Sequence, residues 1–197
     1  MGRDPLDLLR AFLAGGARFV QLRAKGLAGG AWLELAERCV EAAHAAGAVL
    51  IVNDRADIAS LARADGVHVG QDDLPPKDVR RIVGDPAIVG FSTHTVEQIE
   101  TAVREPITYV AVGPVFGTTS KDTGYERVGL DLVRRAARMA SGAGLPLVAI
   151  GGITLATAPA VIEAGAASVA VIGDLLATRD PEARVRQYIK SLAMADG

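Results

Sequence analysis

Cysteine is all but missing: Cys39 stands alone among 197 residues, so no internal disulfide can form and a metal centre built on cysteines is excluded. A reducing compartment, the cytoplasm, is the expected home. An excess of one charge is missing as well. Lys and Arg number 21 against 23 Asp and Glu, a formal net charge of −2, and no basic stripe follows the spacing of a phosphate backbone, so nucleic acid is not an expected partner. No apolar run is long enough to span a bilayer. The opening Met1-Gly2-Arg3-Asp4-Pro5 lacks the basic-then-apolar pattern of a signal peptide, and Leu6 stands where a myristoylation motif wants Ser or Thr. Neither G-x-G-x-x-G nor G-x-x-x-x-G-K-[ST] occurs, which removes the dinucleotide and P-loop fingerprints. His44, His68 and His94 fall on separate elements without zinc-ligand spacing, so histidine ligation of a metal is not expected. What is present, 50% hydrophobic and 22% charged residues, suits a single domain spanning 1–197 with a sizeable core.

Short β-branched runs alternate with amphipathic or alanine-rich stretches. Phe19–Ala24, Val49–Asp54, Gly66–Gly70, Ile88–Ser92, Thr108–Gly113, Leu147–Gly151 and Ser168–Gly173 read as strands; Trp32–Ala46, Val96–Arg104, Leu130–Ala140, Ala156–Ala164 and Pro181 to about Met194 read as helices. Such alternation with short connections predicts a parallel sheet covered by helices. A doubly wound open sheet is the alternative. The loops favour a (β/α) barrel, because the glycine-containing turns follow the last two strands, at Gly151-Gly152 and Ile172-Gly173, where barrels commonly seat a phosphate.

Polar residues collect where these strands end. Gln21, Arg23 and Lys25 are spaced by two, so a strand would send all three to one side and Val20 and Leu22 to the other. Asp54 ends one strand and Asp73 lies just past the next, which in a parallel barrel brings two carboxylates onto neighbouring loops. Mg2+ is held by one or two carboxylates plus substrate phosphate and water. Each Asp alone reads better as a turn or cap residue; with Gln21, Arg23 and Lys25 opposite, metal and diphosphate is the favoured reading. Gly113 to Lys121 is a loop with three hydroxyls and one cation, able to hold a phosphate or to be a plain solvated loop. His68 reads as a hydrogen-bonded interior group, and His94 as near enough to Ser92 to influence it.

Taken in order, QLRAKG at 21–26, VNDRADIA at 52–59, ADGVHVGQDDLP at 64–75, FSTHT at 91–95, GPVFGTTSK at 113–121, AIGGIT at 149–154 and VAVIG at 169–173 closely resemble the thiamine phosphate synthase family. The resemblance runs from about Leu8 to Leu176. It implies a TIM (β/α)8-type barrel that joins hydroxymethylpyrimidine diphosphate to a thiazole phosphate with Mg2+, releasing pyrophosphate. Carried over, it gives Gln21, Arg23, Lys25, Asn53, Ser92 and Lys121 to the pyrimidine substrate, with Arg23, Lys25, Ser92 and Lys121 acting in catalysis. Asp54 and Asp73 go to Mg2+, and Thr118, Thr119, Ser120, Gly152, Ile172 and Gly173 to the thiazole phosphate. The implied mechanism is dissociative.

The family's near relative, a thiazole tautomerase, has a histidine where this chain has Pro114 and lacks the paired aspartates. A non-catalytic binder of thiamine-related phosphates is a further alternative. Gly117 stands where proline is common and Ser120 where threonine is common, neither removing a hydroxyl or the lysine. The family begins with a strand, whereas this chain opens in a helix bearing Leu6, Leu9, Phe12 and Leu13 before Gly15-Gly16. The expectation is therefore a barrel with its first strand missing, seven strands visible, open edges around Val20 and Val169, and a natural start lying upstream.

Overall fold

The computed structural model describes residues 4–117 and 126–193. Helix α1, Pro5–Ala14, leads into β1, Phe19–Leu22. There follow α2 (Gly29–Ala45), β2 (Val49–Asn53), α3 (Ala56–Leu61), β3 (Gly66–Val69), α4 (Pro76–Val83), β4 (Ile88–Thr93), α5 (Val96–Ala102) and β5 (Tyr109–Val112). The second half runs α6 (Gly129–Gly142), β6 (Leu147–Ile150), α7 (Ala158–Glu163), β7 (Ser168–Ala170), the short α8 (Gly173–Leu176) and α9 (Pro181–Ala193). The strands form one parallel sheet in sequential order, β1 to β7. A doubly wound sheet would reverse direction at a switch point, and sequential order excludes it.

The sheet is curled. Phe19 on β1 meets Tyr109 on β5 edge to face with ring centroids 5.7 Å apart, although these strands are four neighbours apart and a flat sheet would separate them by roughly 19 Å at ~4.8 Å per strand. The barrel so formed has two cores. Leu50, Val52, Val67, Val69, Val89, Val110 and Val112 face outward and are buried under the helices; Ile51, Tyr109 and Ala111 are buried inside the curl, apart from that cluster.

Helix α1 starts where sequence chemistry says it should. The Asp4 carboxylate accepts from the Leu6 N–H at 2.7 Å, Pro5 needs no partner at the first position, and Gly16 turns the chain at φ 102°. Leu6, Leu9, Phe12 and Leu13 are all buried, each such side chain stabilising by about 1.5–3 kcal/mol. The helix packs against both α2 and α9. A Cβ on Gly15 would come within 2.7 Å of the Glu182 carbonyl oxygen and of Val185 Cβ, so α1 and α9 touch at their backbones. The helical layer is thus continuous where the sheet is not: among the described residues β1 and β7 remain unpaired edges and no strand precedes α1. Cys39 is buried in α2, where loss of solvation raises its thiol to about 11. No described helix is long and apolar enough to cross a membrane.

Candidate functional site

Among the described residues, those picked out by sequence fall at the carboxyl ends of the strands. Gln21 lies in β1, opposite Ile51. Arg23 and Lys25 do not continue that strand, as the alternation had implied; the ladder stops at Leu22, and a loop that turns at Gly26, φ 83°, presents both cations exposed. Among the described residues neither has an ion-pair partner. An anion is the natural ligand for two such groups at a strand end.

On the next strand Asn53 is buried and closes β2, with Asp54 beyond it in a left-handed conformation at φ 65°. The Asp54 N–H donates to the His68 carbonyl at 2.8 Å, which carries the β2–β3 ladder one step past its last pair and fixes where Asp54 sits. Non-glycine residues rarely adopt positive φ, and such strain concentrates at functional sites. Arg55, next along, is turned away. Its guanidinium forms a two-pronged pair with Asp57 at 2.8 and 2.5 Å, and that hydrogen bond holds the Asp57 carboxyl below its ordinary range. Asp73 sits in the adjacent loop, where one carboxylate oxygen accepts from the Gly70 N–H at 2.8 Å. Among the described residues no cluster of three or more His, Cys, Asp and Glu side chains forms. Two hard carboxylate ligands on neighbouring loops, the rest left to phosphate and water, is a donor set that fits Mg2+.

Ser92 lies within β4, and its carbonyl accepts from the Gln71 side chain at 2.7 Å. A groove of about 450 Å³ lies alongside, lined by Gly70, Gln71 and Asp73 together with Phe91 of β4 and residues of α4, α5 and their flanks. His94 donates through Nδ1 to the Gly113 carbonyl, bracing the next loop.

The loop from Gly113 to Gly117 is locked onto the turn after β6. Val115 N–H donates to the Ile150 carbonyl at 2.9 Å and Phe116 N–H to the Gly151 carbonyl at 3.0 Å. Glycines make this possible: Gly151 and Gly152 have φ of 96° and 64°, and a Cβ on Gly152 would lie 2.4 Å from the Gly117 carbonyl oxygen. Thr118, Thr119, Ser120 and Lys121 follow directly and lie outside the described residues. β7 ends at Ala170, earlier than its apolar run suggests, and Ile172 and Gly173 form the exposed start of α8. Asp174 ties this corner together. Its Oδ2 accepts from Tyr188 Oη at 2.7 Å and from the Leu155 N–H at 3.3 Å, with Arg184 Nε at 3.8 Å. The two glycine-bearing turns are therefore joined to each other and to α9. Tyr188 is pushed up by burial first and by the neighbouring carboxylate second.

A family model described as thiamine monophosphate synthase matches residues 2–175. The chain belongs to that family. It is 47% identical over 184 residues to the thiamine-phosphate synthase of Roseiflexus castenholzii, covering 93% of this chain and 79% of that one. Over 188 residues it is 45% identical to the thiamine-phosphate synthase of Acidothermus cellulolyticus, covering 95% and 87%. The solved thiamine phosphate pyrophosphorylase of Pyrococcus furiosus superposes with a TM-score of 0.90 at 27% identity, over 99% of this chain and 92% of that chain.

One feature of the site escapes sequence reading. Tyr109 and His68, 41 residues apart, meet inside the curl and share a hydrogen bond with each other. The available signal was a polar side chain at an inward position on each of two strands flanking β4, with a glycine between them.

Proposed function

We propose that this chain is a thiamine phosphate synthase, joining hydroxymethylpyrimidine diphosphate to a thiazole phosphate and releasing pyrophosphate. The observation that carries the reading is the convergence, on the carboxyl ends of β1 to β4, of two unpaired cations, two carboxylates and the Ser92 hydroxyl, in a chain of this family. Incubating the purified protein with both substrates should yield thiamine phosphate and pyrophosphate in equal amounts by mass spectrometry. Absence of both products in an otherwise folded sample would overturn it.

In this reading Asp54 and Asp73 hold Mg2+, which when bound neutralises negative charge on the diphosphate. Arg23 and Lys25 bind diphosphate oxygens, Asn53, Gln21 and Ser92 hold the pyrimidine end, and Gly152, Ile172 and Gly173 offer backbone N–H groups to the thiazole phosphate. The C–O bond from the methylene carbon to the diphosphate breaks with its electron pair leaving on oxygen. The thiazole nitrogen lone pair then forms the new C–N bond. Nothing here requires a protein nucleophile: Cys39 is buried in a helix with its thiol raised. The work is positioning and fixed charge. A tautomerase reading has no support at Pro114, whose ring carries no proton to transfer. The same reading puts the protein in the cytoplasm, where a lone buried thiol stays reduced.

Lys121 is assigned to the diphosphate by the same reasoning. Lys121→Ala should therefore depress kcat by on the order of 100-fold, with the thiazole phosphate KM changed much less, since its charge acts as negative charge develops on the leaving group. Steady-state kinetics with each substrate varied would check this. A loss confined to the thiazole phosphate KM would move Lys121 to the other substrate.

A further inference from the structure

Inside the curl runs a row of side chains in which two members, His68 and Tyr109, have no part in the mechanism above. The Tyr109 hydroxyl lies 2.8 Å from His68 Nδ1, and His68 Nε2 lies 2.7 Å from Ser92 Oγ. Gln21 of β1, level with the inward Ile51 of β2, stands beside the Tyr109 hydroxyl at the far end. Four strands thus contribute one residue each: β1, β5, β3 and β4.

The backbone is arranged to permit this contact. His68 and Tyr109 each pair in register with Gly90 from opposite sides of β4, so the two rings reach across the one residue without a side chain. A Cβ there would stand 2.1 Å from Tyr109 Cζ and 2.5 Å from His68 Nδ1. The rings stack with centroids 5.5 Å apart and planes 28° from parallel. Tyr109 and His68 are both buried, so their polar atoms need hydrogen-bond partners inside the protein, and the row supplies them.

Donor counting gives the row a direction. Burial raises the Tyr109 hydroxyl, so the phenol stays protonated. Tyr109 keeps its single proton and has His68 Nδ1 to give it to. An Nδ1 that accepts belongs to a neutral imidazole with its proton on Nε2, and that N–H then donates to Ser92 Oγ. Ser92 is left with its own proton to offer onward.

We propose that His68 and Tyr109 are positioning residues that fix the Ser92 hydroxyl as a hydrogen-bond donor toward the pyrimidine substrate. The proposal rests on the assignment of Ser92 to that substrate in the reading above. A nucleophilic serine with a histidine base would need a third group able to stabilise an imidazolium, commonly a carboxylate. The third group here is a neutral phenol. The arrangement therefore orients a hydroxyl without activating it.

Nitrogen NMR of the labelled wild-type protein reads the tautomer directly, with the His68 signals assigned by their loss in His68→Gln. The expected pattern is a protonated Nε2 and a bare Nδ1, moving toward a mixture in Tyr109→Phe. In kinetics, Tyr109→Phe should lower kcat/KM for the pyrimidine diphosphate about tenfold, the size of one lost hydrogen bond, while the thiazole phosphate KM stays put. His68→Ala should lose more, and His68→Gln, which retains an N–H at similar reach, should recover to within about threefold of wild type, less than one such bond. An Nδ1-protonated wild-type His68, a Tyr109→Phe protein with unchanged tautomer and kinetics, or a His68→Gln variant no better than His68→Ala would each overturn the proposal. If the wild type makes no thiamine phosphate, the functional reading fails while the tautomer remains measurable on its own.

Discussion

Replacing either Asp54 or Asp73 with Asn should reduce Mg2+-dependent turnover by at least about 100-fold, more than the 10–100-fold typical of losing a partner that only supports a metal ligand, and leave the fold intact. The local structure explains why the fold should survive. Asp54 sits at φ 65°, a conformation Asn tolerates as well as Asp does, and its backbone N–H keeps its bond to the His68 carbonyl. Asp73 accepts one bond from the Gly70 N–H, which the carbonyl oxygen of Asn can also accept. What each substitution removes is the negative charge that binds a hard cation. The variants should unfold at the wild-type temperature, and part of the lost rate should return at high Mg2+. Near-normal activity in both would remove the metal assignment.

The second large effect belongs to Gly152→Ala. Its backbone is left-handed, which costs an L-residue about 1–2 kcal/mol, and the added methyl would meet the Gly117 carbonyl oxygen at 2.4 Å and the Phe116 carbonyl carbon at 2.8 Å. Backbone atoms cannot swing aside as a side-chain end can, so overpacking adds about 1–3 kcal/mol. The sum, about 2–5 kcal/mol, corresponds to a Tm lowered by roughly 4–20 °C in a domain of this size. Activity should fall as well, because the displaced segment leads straight into Thr118 to Lys121. Gly142→Ala is the matching control: it lies in α6 with open space around it and should be neutral or slightly stabilising. Calorimetry of the two proteins checks both. Equal melting temperatures would show that the turn after β6 is looser than its contacts imply.

These expectations separate what the sequence discloses from what it conceals. Six of the seven strands lie inside the run their β-branched residues marked, β4 runs one residue past its own to Thr93, and the capped, glycine-stopped α1 lies inside the segment expected of it. Strand ends were less legible. Arg23, Asp54, Gly113, Gly151 and Gly173 all fall beyond the last ladder pair, because the chain leaves the sheet there to enter the loops at the barrel mouth. The helices Ala56–Leu61, Pro76–Val83 and Gly173–Leu176 span too few turns for apolar periodicity to declare them. The open edges at β1 and β7 follow from strand counting; the packing of α1 between α2 and α9 does not, since helix neighbours across a gap depend on closure of the whole layer. The row from Gln21 to Ser92 was hidden for a similar reason. Its register depends on Gly90 lying level with both His68 and Tyr109, and parallel register is set by crossover helices, not by any local pattern.

In the proposed reaction diphosphate leaves as pyrophosphate while a C–N bond forms, and Asp54 and Asp73 would hold the Mg2+ that neutralises charge on the leaving group. Phosphorus NMR of the wild-type protein with both substrates, before and after chelation, follows that event directly. The predicted result is conversion of the diphosphate ester to pyrophosphate in step with thiamine phosphate, stopping on chelation and resuming when Mg2+ is restored. Orthophosphate in place of pyrophosphate, pyrophosphate without thiamine phosphate, or a rate indifferent to chelation would contradict it.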